Sequence, residues 1–145
     1  MAKPIKAIFF NIGNTLGTVD LSKKALTPFP NMLDLLRTAH RVFQVPIGVI
    51  TDIPDDDWER EDVEALLGDA GILTLLDGRG IVTSKEAAST KGEGPQIFEF
   101  AARRLGVEMS ACFFIDDDAK NVANALHIWH ERYSKSGELT VVIGS

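Results

Sequence analysis

Polar residues stand where three apolar runs stop. Asn11 follows "IKAIFF", Thr51 closes "VPIGVIT", and Asp116 and Asp117 follow "ACFFI". If the three runs are neighbouring strands, a carboxamide, a hydroxyl and two carboxylates meet at one end of a sheet, where open α/β sheets bind their ligands. A carboxylate would be more useful than a carboxamide at position 11. Asn11 and Asn14, beside Gly13 and Gly17, also suit a plain turn. Other candidate clusters read as structure. The "DDD" at 55–57 precedes a helical pattern and favours the helix dipole, so it is read as a solvated helix start, not a metal cluster. His127 and His130 lack a third ligand and read as surface histidines. Cys112, inside an apolar run, reads as a small buried hydrophobe. The "GEG" at 92–94 reads as loop flexibility.

These residues need elements to position them. "IKAIFF", "VPIGVIT" and "MSACFFID" are nearly continuous apolar runs, as in strands covered on both faces. "GRGIVTS" and "ELTVVIGS" are further strand candidates. "TPFPNMLDLLRTAHRVF" reads as a helix with Pro30 near its start and apolar positions at Met32, Leu33, Leu35, Leu36, Ala39 and Phe43. A second helix contains Val63, Leu66 and Leu67 and ends at Gly68 or Gly71. "PQIFEFAARRLGV" is a third, with Pro95 at its start and Gly106 just past its end. "AKNVANALHIWHERY" is a fourth, which Asp118 would cap. Residues 11–26 and "KEAASTKGEG" read as polar loops. Strands alternating with helices predict an α/β, three-layer Rossmann-like domain with a mostly parallel sheet flanked by helices.

Size and composition narrow the function. The chain has 145 residues, enough for a single domain over 1–145. Its net charge of −6 argues against a nonspecific nucleic-acid or anionic-membrane surface. An anionic substrate would need a local positive site. One cysteine allows no disulfide framework, which suits a reducing compartment. The N-terminal apolar run is too short for a signal-peptide core or a membrane span, so a cytoplasmic location is expected.

Four segments, in order, resemble the motifs of the haloacid dehalogenase (HAD) superfamily of phosphatases and related hydrolases. They are "AIFFNIGNTL", "IGVITD", "STKGEGPQIFEFAARRLGV" and "CFFIDDDAKNVANA". The similarity covers nearly the whole chain. It implies Mg²⁺-dependent phosphoester hydrolysis through an aspartyl-phosphate, with position 11 as the nucleophile. It implies metal ligation by residue 11, the Gly13 carbonyl and Asp117, supported by Asp116. Thr51 would hydrogen-bond a phosphate oxygen, and Lys91 would offset the charge on phosphate and nucleophile; Lys85 is the weaker alternative. Backbone N–H groups of Ile12, Gly13, Asn14 and Thr15 would cradle the phosphate. Asn121 would tie down the loop of the fourth motif.

The first motif departs from the pattern twice. A neutral amide at Asn11 cannot attack phosphorus as a carboxylate would. Gly13 removes the acid/base, a loss of roughly 10²–10⁴-fold in such chemistry. Only 39 residues separate Asn11 from Thr51 and 39 separate Thr51 from Lys91. That leaves no room for a substantial cap domain and disfavours haloacid dehalogenation, which in this family depends on cap residues. The late position of the acidic pair argues against a phosphate-receiving signalling domain. Two readings stay open. One is a phosphohydrolase whose residue 11 is natively aspartate, impaired as written. The other is a natural non-catalytic pseudoenzyme that binds a phosphorylated ligand or a protein partner.

Overall fold

The computed structural model describes residues 5–54, 57–93 and 96–117, and the backbone of 140–143. β1 (Ala7–Phe10) is followed by β2 (Gly17–Asp20), β3 (Ala25–Pro28), α1 (Met32–Phe43), β4 (Ile47–Thr51) and α2 (Arg60–Asp69). Then come β5 (Ile81–Thr83), α3 (Ser84–Ala87), α4 (Gln96–Arg104), β6 (Cys112–Asp116) and β7 (Thr140–Ile143). β5, β4, β1, β6 and β7 form, in that order, one sheet with every pairing parallel. The α/β layering expected from the sequence is present, with no large cap among the described residues.

β1 is the central strand and is buried throughout. Its side chains alternate between two cores, as the pleat requires. Ala7 and Phe9 join Val82, Ile97, Phe98 and Phe114 on the α4 side. Ile8 and Phe10 join Leu36, Val49, Val63 and Leu66 on the side of α1 and α2. Gly48 is where β4 comes closest to its surroundings. A Cβ there would sit 2.4 Å from the Gly80 carbonyl oxygen and 2.8 Å from the Phe9 ring. Arg60 of α2 donates to the carbonyls of Ile81 and Gly78 and pairs with Glu86 at 3.1 Å, so α2 is tied to β5 and α3.

Several local features differ from the sequence reading. Residues 17–28, expected as loop to 26 and as the start of the helix segment from Thr27, form an antiparallel hairpin with Gly17 opposite Pro28 and Asp20 opposite Ala25, so α1 begins only at Met32. From Ser84 into "KEAASTKGEG" the chain makes the short helix α3. Thr83 accepts from the Glu86 N–H while the Glu86 side chain accepts from the Thr83 N–H, and this reciprocal cap nucleates the turn. α2 starts at Arg60, after the N-cap Glu59 whose capping box uses Asp62, rather than at the "DDD". α2 ends at Asp69, and Gly71 takes the left-handed conformation at φ 79. On α1, only Leu36 is fully buried, while Leu35 and Phe43 are exposed. Asp55, Asp56, Gly94, Pro95, Asp118, Asn121, His127, His130 and the helix expected after β6 lie outside the described residues.

Candidate functional site

The parallel register sets the site. β1 pairs with β4 up to Phe10 and Val49 and with β6 up to Phe10 and Ile115, so the three strands end within two residues of one another. Asn11 continues β1 by one residue, its N–H donating to the Ile115 carbonyl at 2.8 Å. The turn after it closes on itself: the Asn14 N–H donates to Gly17, and those of Thr15 and Leu16 to Ile12. Asn14 holds φ 60, a conformation asparagine tolerates better than most residues. Two of the four cradle N–H groups are therefore engaged within the turn. Those of Ile12 and Gly13 have no partner among the described residues.

Lys91 is the buried cation of the site, 3% exposed. Its ammonium donates to Asn11 Oδ1 at 2.6 Å and to Asp116 Oδ2 at 2.7 Å. Its backbone N–H donates to Asp52 Oδ1 at 3.0 Å, which fixes the loop that carries it. Asn11 Nδ2 points the other way. It donates to the Gly13 carbonyl at 2.8 Å and to Asp117 Oδ1 at 2.9 Å, with the Thr15 hydroxyl oxygen at 3.4 Å. Thr15 also donates to Asp117 Oδ1, at 3.2 Å. The neighbours dictate this amide orientation. Flipped, the NH₂ would face the Lys91 ammonium and the oxygen would face a carboxylate.

Thr51, at the end of β4, is 9% exposed, and its hydroxyl has no partner among the described residues. It lines a cavity of about 260 Å³ together with Asn11, Gly13, Lys91, Asp116 and Asp117. An unpaired buried hydroxyl costs stability unless something meets it, which suits a ligand oxygen. The outer walls are apolar: Val19 and Leu21 from the hairpin on one side, Ile53, Pro54 and Trp58 on the other. Lys24 fastens the hairpin to α2. Its ammonium donates to the Asp57 carbonyl at 2.6 Å, pairs with Asp62 at 3.2 Å and lies 5.4 Å from the Trp58 ring centre.

All the strand-end residues singled out in the sequence, with Lys91, thus line one cavity. Lys85 does not: it pairs with Glu59 at 2.5 Å. Asp52 and the apolar walls were not singled out. Asp52 directly follows Thr51, and its position after a strand end was the available signal. The magnesium implied by the resemblance does not suit the residues as they stand. Among the described residues, no group of three or more His, Cys, Asp or Glu side chains is gathered to hold a metal. The Asn11 group that faces the Gly13 carbonyl and Asp117 is a donor, where a hard cation needs oxygen.

Residues 3–126 match the family model for haloacid dehalogenase-like hydrolases. No curated protein matches the chain by sequence. Solved structures of similar fold include the L-2-haloacid dehalogenase from Xanthobacter autotrophicus with chloropropionic acid covalently bound. It is 13% identical at TM-score 0.68, over 86% of this chain and 74% of that one. A HAD family hydrolase from Deinococcus radiodurans R1 with bound phosphate and sodium is 18% identical at TM-score 0.57, over 95% and 80%. The magnesium-bound YfnB from Bacillus subtilis is 10% identical at TM-score 0.66, over 87% and 84%. At these identities the likeness is one of fold. No helix among the described residues is long and apolar enough to cross a membrane.

Proposed function

The chain belongs to the haloacid dehalogenase-like hydrolases, and from that premise we propose that its cavity is built for a phosphomonoester, with hydrolysis blocked at the nucleophilic step by Asn11. One observation carries this reading: Lys91, buried, places its ammonium 2.6 Å from the side-chain oxygen of residue 11. A cation in that position lowers the cost of bringing an anionic phosphoryl group against an anionic nucleophile. The Thr51 hydroxyl and the N–H groups of Ile12 and Gly13 are available to bind phosphoryl oxygens.

With aspartate at 11, a carboxylate oxygen would bond to phosphorus as the ester oxygen leaves. Water would then cleave the acyl phosphate, releasing inorganic phosphate and regenerating the carboxylate. Gly13 offers no acid, so the leaving oxygen would take its proton from water. With asparagine at 11 the first bond does not form. The test is Asn11→Asp, assayed with p-nitrophenyl phosphate with and without Mg²⁺. Turnover only in the aspartate form, and only with Mg²⁺, is the expected result. A folded Asn11→Asp protein without turnover would sink the reading for simple monoesters.

A second reading has its own observation. Asn11 Nδ2 is engaged by Gly13 and Asp117, and the acid/base position is glycine, so both usual carboxylates of the first motif are replaced. That favours a non-catalytic module binding a phosphorylated ligand or a protein partner.

A further inference from the structure

We propose that the Asn11 carboxamide stands in for a divalent cation, so that this chain holds its site together without a metal and gains one only when residue 11 carries a carboxylate. The place where a cation would sit, between residue 11, the Gly13 carbonyl and Asp117, is spanned by Nδ2. It lies 2.8 and 2.9 Å from those oxygens, with the Thr15 hydroxyl at 3.4 Å. These are hydrogen-bond lengths, whereas Mg²⁺ draws oxygens in to about 2.0–2.1 Å. Two N–H groups meet the carbonyl and the carboxylate, so both acceptors are served by the chain itself.

The carboxylates confirm the balance from the other side. Asp117 Oδ1 receives both the amide and the Thr15 hydroxyl, and Asp116 Oδ2 receives the Lys91 ammonium. Neither needs an added cation to offset its burial. Aspartate at position 11 reverses the sign. An oxygen would then face the Gly13 carbonyl and the Asp117 carboxylate with no hydrogen between them, and a cation would be the group that relieves the clash. This rests on the phosphoryl-site reading only for where a cation is expected. Metal titration reads occupancy and the phosphomonoester assay reads turnover, so either can fail without the other.

The probe is Mn²⁺, titrated into the full chain and into Asn11→Asp, with free Mn²⁺ followed by electron paramagnetic resonance. The chain with Asn11 should bind more weakly than about 1 mM, and Asn11→Asp at least about tenfold tighter. Mg²⁺ should raise the Tm of Asn11→Asp and leave that of the Asn11 chain unchanged. Equal affinities, or Mn²⁺ binding by the Asn11 chain that disappears in Asp117→Asn, would overturn the proposal. If Asn11→Asp does not fold, the side-chain NH₂ signal of Asn11 in the unaltered chain decides. A signal left sharp by equimolar Mn²⁺ supports the proposal, and broadening overturns it.

Discussion

Removing the ammonium of Lys91 is the most informative single change. The pair it makes with Asp116 spans 2.7 Å, with side chains only 4% and 8% exposed. At an effective dielectric of about 20, two unit charges at that separation attract by about 6 kcal/mol. Desolvation of both ions offsets most of this, so the intact pair contributes little over a neutral substitute. Lys91→Met removes one side only. It leaves the Asp116 carboxylate buried without its cation and Asn11 Oδ1 without its donor. The cost should be about 3–5 kcal/mol. In urea, with a slope of about 2 kcal/mol/M, the midpoint falls by about 2 M. The companion is Lys91→Met with Asp116→Asn, which removes both charges. It should recover about 1–3 kcal/mol relative to the sum of the single changes. Circular dichroism through the urea transition measures all three variants. A Lys91→Met loss below about 1 kcal/mol would refute the reasoning, since that is the range of a solvent-screened surface pair. Strict additivity in the double variant would refute it equally.

Burial pushes the Cys112 thiol up to about 12, so iodoacetamide at pH 8 should modify it only when urea unfolds the chain; modification in the folded state would count against that burial. Gly17→Ala should break the start of the hairpin, because a Cβ there would sit 2.1 Å from the Thr27 carbonyl oxygen. The expected loss is about 1–3 kcal/mol or more, read as a fall in Tm; an unchanged Tm would show that the hairpin shifts freely. Asp62 is held below the usual carboxylate range, chiefly by the Glu59 N–H donating to it, with Lys24 assisting. A carboxylate lowered in the folded state stabilises above its unfolded pKa, and that stability is lost as pH falls through the folded value. Asp62→Asn should therefore flatten the acid limb of the stability curve below about pH 4, and an identical acid limb would remove the capping carboxylate from the account.

What the sequence made legible follows from burial. β1, β4 and β6 are covered on both faces, so their residues had to be apolar and their ends stood out as the first polar positions. Asn11, Thr51, Asp116 and Asp117 were found that way, and the register that aligns the strand ends brings them to one cavity. The hairpin was hidden because its strands are four residues long and each keeps one fully buried position, Gly17 and Leu26. No apolar alternation marks it. α3 was hidden for the opposite reason. Its signal is the cap pair Thr83 and Glu86, with no apolar run behind it. The orientation of the Asn11 amide was beyond any reading of the chain. It depends on Lys91 and Asp117 approaching from opposite sides, 80 and 106 residues away in sequence.

The strand order has a consequence for how the site comes apart. β1 lies third of five, flanked by β4 and β6, and these are the strands that carry the site residues. The amide proton of Asn11 is held by the Ile115 carbonyl inside that trio. It should exchange with solvent deuterium only when the whole sheet opens, on the slow limb shared with Phe9 and Val49. The hairpin above it belongs to a separate two-stranded ladder, and its amides should exchange sooner. The floor of the cavity therefore lasts as long as the fold does, while its wall keeps a faster clock of its own.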